Sequence, residues 1–73
     1  MPDIFIDARE MRPPEPLERA LAALDLLGDD GGLTLMLKRR PYPLFLVLSN
    51  KGYKWNESEE AGGGFKYQIF KKT

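Results

Sequence analysis

Asp7-Ala8-Arg9-Glu10-Met11-Arg12-Pro13-Pro14-Glu15-Pro16 decides how this chain is read. Its prolines forbid helix until the segment ends, because proline fixes φ and removes a backbone donor. Proline is tolerated in a first helical turn, where the missing N–H had no partner anyway. The stretch is therefore a loop that ends in a helix start. Upstream, Asp3-Ile4-Phe5-Ile6-Asp7 is rich in strand formers and bounded by acids. It reads as a strand with Ile4 and Ile6 on one face and Phe5 on the other. Downstream, Leu17, Ala20, Leu21, Leu24 and Leu27 fall at helical spacing and predict a helix over about Glu15–Leu27, stopped by Gly28. Glu15 and Glu18 stand near its N-terminus, where the helix dipole favours anions.

The remaining chain repeats the alternation. Asp29-Asp30-Gly31-Gly32 is a turn by composition. Leu33–Lys38 follows as a strand with Leu33, Leu35 and Leu37 on one face. Arg39-Arg40-Pro41-Tyr42-Pro43 is a second proline loop, leading into a helix over about Tyr42–Lys51 that stops at Gly52. Leu44, Val47 and Leu48 form its buried stripe, which Phe45 and Leu46 widen. Tyr53 to about Ser58 is a third strand, with Tyr53 and Trp55 on one face. Glu59–Gly64 is a loop made pliable by three glycines. Phe65–Lys71 is the last strand, with Phe65, Tyr67 and Ile69 on one face, and the short link makes the last two strands a hairpin.

The order is thus βαβαββ in one domain spanning residues 1–73, with no linker and no repeat. Each helix has one apolar stripe, so the economical packing is an α/β (α+β) two-layer sandwich: two helices on one face of a four-stranded mixed sheet. The first two strands are expected to be parallel, with a right-handed crossover, and the closing hairpin makes the sheet mixed.

Composition excludes several chemistries. The chain has 73 residues, 42% hydrophobic and 30% charged, with eleven basic residues against eleven acidic ones. Zero net charge gives no push toward nucleic acid or an anionic membrane, and neither is expected as a partner. There is no cysteine and no histidine. A disulfide framework, a thiol nucleophile and the commonest general base are therefore missing. Ser49 has no histidine to activate it. Gly62-Gly63-Gly64 lacks the lysine and helix of a phosphate cradle. Glu57, Glu59 and Glu60 are a weak carboxylate cluster, and Asp29 with Asp30 reads as a solvated turn, so no catalytic residue, metal or cofactor is expected. The longest apolar run, Leu44–Leu48, is far short of the roughly 20 residues that span a bilayer. Met1-Pro2-Asp3 does not open a basic region followed by an apolar core, so no signal peptide is expected and the cytoplasm is the expected location.

The loops carry a resemblance. The TusA-like (SirA-like) superfamily of small βαβαββ sulfur carriers shows Asp-x-Arg-Gly-Leu-x-Cys-Pro-x-Pro between its first strand and first helix. Asp7, Arg9, Pro14 and Pro16 match that pattern, Met11 stands in for leucine, and the carrier cysteine falls on Pro13. The whole chain is similar to the cysteine-less branch called domain of unknown function 2249, whose pattern here is Asp-x-Arg-Gly-Leu-x-Pro-Pro-Glu-Pro. Asp7, Arg9, Pro13, Pro14, Glu15 and Pro16 all fit it. Arg39, Pro41, Pro43 and Leu44 fit the branch's second-loop pattern, Asp-Arg-x-Pro-x-Pro-Leu, while Lys38 replaces its acid and Glu10 a glycine of the first. The resemblance implies the fold and a link to sulfur or redox metabolism. It does not imply sulfur relay, which needs a thiolate that proline cannot supply.

Two parallel strands send both strand-to-helix loops to one edge of the sheet. That edge gathers Arg9, Arg12, Lys38, Arg39 and Arg40 with two helix N-termini, against Asp7, Glu10 and Glu15. It is the expected site for an acidic patch of a partner protein or for an anionic small molecule. The expected function is a non-catalytic binding or adaptor domain with a protein partner. The alternative is a small-anion sensor or carrier. The uncovered sheet face should show Phe5, Met36 and Phe70 among Thr34, Lys54, Asn56, Lys66 and Gln68, a second place for a partner or a weak homodimer.

Overall fold

The computed structural model describes residues 3–28 and 30–71. Its elements are β1 (Asp3–Asp7), α1 (Glu15–Leu27), β2 (Gly32–Leu37), α2 (Tyr42–Lys51), β3 (Tyr53–Glu59) and β4 (Phe65–Lys71). Both helices begin and end where the proline loops and the following glycines place them. β2 starts one residue early, at Gly32, and releases Lys38 to the loop; β3 runs on to Glu59. Asp29, and Met1 and Pro2 at the start, lie outside the described residues.

The sheet order is β1-β2-β4-β3. β1 pairs parallel with β2, while β4 pairs antiparallel with both β2 and β3. The hairpin thus inserts its second strand into the sheet and leaves β3 at the edge. Register fixes which side chains share a face. Across the covered face run Ile4, Leu33, Ile69 and Trp55, then Ile6, Leu35, Tyr67 and Glu57. Across the open face run Asp3, Gly32, Phe70 and Lys54, then Phe5, Thr34, Gln68 and Asn56, then Asp7, Met36, Lys66 and Ser58.

Both helices pack on the face that carries the leucines. Ala20, Ala23, Leu24 and Leu27 of α1 and Leu44 and Leu48 of α2 join Leu33, Leu35, Leu37, Tyr67 and Ile69 in one core. Ala23 extends the stripe expected for α1, and Leu17 and Leu21 flank it half-buried. The wide stripe of α2 resolves through Phe45. Its ring stacks on Trp55 with centroids 4.8 Å apart and meets Tyr67 edge-on at 5.6 Å. Phe45 therefore covers the β3 side of the sheet, while Leu46 points away, 70% exposed.

Two expectations change. Met36 lies on the open face, yet it is buried. It sits on a central strand, with Asp7 and Lys66 on either side in register, so its neighbours shield it. The glycine loop is narrower than expected and tightly turned. Glu60 N–H donates to the Gly64 carbonyl (3.1 Å) and Gly63 N–H to the Glu60 carbonyl (2.9 Å). Gly63 and Gly64 take φ of 95° and 91°, a conformation that only glycine adopts readily.

Candidate functional site

Parallel pairing of β1 with β2 places the two proline loops side by side. The first loop is pinned at its base. Ala8, buried, donates its N–H to the Met36 carbonyl (2.8 Å), and Met11 N–H returns to the Ala8 carbonyl (3.1 Å). The Asp7 carboxylate accepts from Arg9 three times, from the backbone N–H (3.2 Å), Nε (2.9 Å) and Nη2 (2.7 Å). This explains two positions of the motif at once: the acid and the arginine two residues later brace the turn against each other. Glu10, where the related pattern has glycine, needs no special backbone, since no described non-glycine residue has positive φ. The Pro13–Pro14 peptide is cis, and Glu15 N–H closes on the Arg12 carbonyl (2.9 Å) as α1 begins.

Between the loops lies a groove of about 730 Å³. Its floor is apolar: Ala8, Met11, Leu17, Leu35, Leu37 and Leu44, framed by Pro13, Pro14, Pro16, Pro41 and Pro43. Arg9, Arg12, Lys38, Arg39 and Arg40 all line it. The two helices start at its walls, and neither start has a side-chain cap.

The five cations are not equivalent. Arg9 is held by Asp7, Lys38 stands 3.5 Å from Glu10, and Arg40 pairs with Glu57 at 3.2 Å. Arg12 and Arg39, one on each loop and both exposed, have no ion pair among the described residues. The pairings set the titration of the acids. Hydrogen bonds from the Arg9 side chain and backbone pull the Asp7 carboxyl down to about 2, and Asp7 in turn raises Arg9. Arg40, then Tyr67, lowers Glu57, and Glu57 raises Arg40.

Glu57 is the residue whose role the sequence reading missed. By sequence it is one of a weak carboxylate cluster with Glu59 and Glu60; in the structure β3 includes Glu59 as well as Glu57, and among the described residues only Glu57 of the three makes side-chain hydrogen bonds on the covered face. Glu57 lies on the covered face beside Tyr67, whose hydroxyl donates to its Oε1 at 2.8 Å. The same carboxylate accepts from Arg40 Nε and Nη2, and the Arg40 guanidinium rests 4.8 Å above the Phe65 ring. Burial, and then the bond to Glu57, pushes the Tyr67 hydroxyl well above the usual tyrosine range. The signal was present: alternation from Tyr53 through Trp55 puts Glu57 on the covered side, and an acid there calls for a partner. Among the described residues no group of three or more acids could hold a metal ion, and no helix is long and apolar enough to cross a membrane.

Comparison with known proteins agrees with this geometry. No curated protein matches the chain significantly. The crystal structure of a SirA-like protein from Desulfitobacterium hafniense matches it with a TM-score of 0.83 at 27% sequence identity, over 96% of this chain and 99% of that one. The expected fold and the SirA-like resemblance therefore hold, and the chain has no cysteine. Residues 5–71, nearly the whole chain, match the family described as Uncharacterized conserved protein (DUF2249), and the chain belongs to that family.

Proposed function

We propose that this protein is a non-catalytic adaptor domain whose groove holds a short segment of a partner protein, an apolar side chain followed by an acidic one. The observation that carries this reading is the groove itself: an apolar floor under a rim of five cations, of which Arg12 and Arg39 have no ion pair among the described residues. An apolar floor favours a ligand with an apolar body, and unpaired arginines favour a carboxylate at its end. The titration pattern supports a non-catalytic reading. Asp7 and Glu57 are pulled down and Arg9 and Arg40 pushed up, away from the neutral range where a general acid or base works. The likeness to a SirA-like protein supports a setting in sulfur or redox metabolism. With no cysteine in the chain, the domain would serve there by recognition and not by carrying sulfur.

The second reading is a small-anion sensor or carrier, favoured by one feature: two uncapped helix N-termini face the same groove. Amide NMR separates the two. Peptides pairing leucine or phenylalanine with aspartate or glutamate should give saturable shifts at Ala8–Arg12 and Lys38–Arg40. The same peptides with lysine for the acid, or phosphate and sulfite alone, should not. Arg12→Ala with Arg39→Ala should abolish the shifts. Shifts with the inorganic anions alone would replace the adaptor with the sensor, and silence from both sets would refute a binding groove.

A further inference from the structure

Arg40 belongs to the groove by position and to the edge strand by contact. It follows β2 closely in the chain and lines the groove. Its guanidinium, however, lies over the Phe65 ring of β4 at 4.8 Å and reaches the Glu57 carboxylate of β3. Nε donates there to Oε1 at 3.2 Å and Nη2 to Oε2 at 3.3 Å. The order β2-β4-β3 puts that carboxylate two strand spacings from β2, about 10 Å at the usual spacing. Glu57 is itself held in place, since the hydroxyl of buried Tyr67 donates to its Oε1 at 2.8 Å. The anchor is thus built into the sheet, and the loop arginine is drawn out to it.

Lys38, another cation of the same loop, is drawn the opposite way, to Glu10 of the β1–α1 loop at 3.5 Å. Of this loop's three cations, Arg39 alone has no ion pair among the described residues. Glu57 does not line the groove. Resting on the groove reading above, we infer that Glu57 is a specificity-determining residue that acts through Arg40. By holding Arg40 out over β4, it keeps the loop to one unpaired arginine and selects against bound segments that carry two adjacent acids.

The selection works against the wrong ligand. A carboxylate entering the groove gives up water, and it is stabilised only where a cation replaces that water. The first acid of a bound segment has an unpaired arginine to meet. A second acid beside it would have to draw Arg40 from Glu57, breaking one charge-assisted pair to make another, with no net gain. With Arg40 released, Arg39 and Arg40 would stand together on one wall and suit a doubly charged group. Arg40 and Glu57 both stay partly exposed, at 44% and 32%. That exposure bounds the effect of the release to about fivefold in affinity.

A gain of preference tests this. Two peptides blocked at both ends, one with leucine followed by a single aspartate and one with leucine followed by two, are titrated by amide NMR. Wild type should bind the two with affinities within about twofold of each other. Glu57→Gln keeps an oxygen to accept from Tyr67 and removes the charge that holds Arg40. It should raise the diacid-to-monoacid affinity ratio about fivefold. Adding Arg40→Ala to Glu57→Gln should return the ratio to its wild-type value. Asp25→Asn makes the same change of net charge on an exposed residue near the far end of α1, and it should leave the ratio where it was. A raised ratio cannot arise from a folding defect. If wild type binds neither peptide, the groove reading fails and this inference with it. If wild type binds the single-acid peptide, the role of Glu57 alone is overturned by any of three results. These are a wild type that already prefers the diacid about fivefold, a ratio unmoved in Glu57→Gln, and a raised ratio that persists without Arg40 or appears equally in Asp25→Asn.

Discussion

Three adjacent glycines offer a graded test of the β3–β4 turn. Gly62 has no positive φ, and a Cβ there would meet nothing within 4 Å. Gly63 has φ of 95° with open space around it. Gly64 has φ of 91°, and a Cβ would stand 2.7 Å from the Leu37 carbonyl oxygen, a backbone atom at the end of β2 that cannot swing aside. Alanine at the three positions thus adds, in turn, nothing, a conformational cost, and that cost plus a collision. Gly62→Ala should be neutral or stabilising by up to about 1 kcal/mol, through the entropy of the unfolded chain. Gly63→Ala should cost about 1–2 kcal/mol for a left-handed residue with a side chain. Gly64→Ala should cost roughly 2–5 kcal/mol, adding the usual penalty for overpacking. A domain of this size holds about 4–11 kcal/mol in all, so the last variant should be marginal. Urea unfolding followed by fluorescence of Trp55, compared at constant slope, reads the series. Equal costs at Gly63 and Gly64 would refute the close approach to Leu37, and a costly Gly62→Ala would refute the turn itself.

Three further outcomes follow from the packing and the pairings. Leu48→Ala, at a position with no exposed surface, should destabilise by about 2–5 kcal/mol in the same assay; a cost below about 1 kcal/mol would contradict its place in the core. The Asp7 carboxyl, lowered by Arg9, should titrate near 2 by carbon-detected NMR. Its contribution to stability is complete above its ordinary value of 3.8 and disappears as pH falls through about 2; Arg9→Ala should move the titration up, and an unmoved carboxyl would break the brace. The Tyr67 hydroxyl should stay protonated in alkali beyond the usual tyrosine range, and Glu57→Gln should bring its ionisation down by removing a neighbouring anion, as read by tyrosinate absorbance.

The architecture was legible because its punctuation is strong. Pro13 and Pro14 ahead of one helix with Pro16 in its first turn, Pro41 and Pro43 around the start of the other, and a glycine after each leave few choices of boundary. Both helices accordingly fall where the spacing puts them. The strand order was not legible, because a hairpin can add to the sheet by either of its strands, and which one enters depends on packing beyond any local pattern. For the same reason the sequence collected five cations at one edge but could not rank them. Asp7 with Arg9 is a local pair and visible at a separation of two. Arg40 with Glu57 joins a loop to an edge strand seventeen residues later, and only the β3–β4 register brings Glu57 to the covered side. Met36 shows the limit of alternation, which assigns a face but not the depth at which a residue lies on it.

The ranking of the cations narrows what the groove can recognise. If all five were free, the edge would attract any anion with little regard for its shape. Three are instead paired with Asp7, Glu10 and Glu57. What remains is one arginine on each wall, Arg12 from the β1–α1 loop and Arg39 from the β2–α2 loop, with leucines and prolines between them. A ligand gains from both only by crossing the groove, and gains from the floor only by carrying apolar surface on the way. On the proposed adaptor reading, such a site would select for shape and charge together.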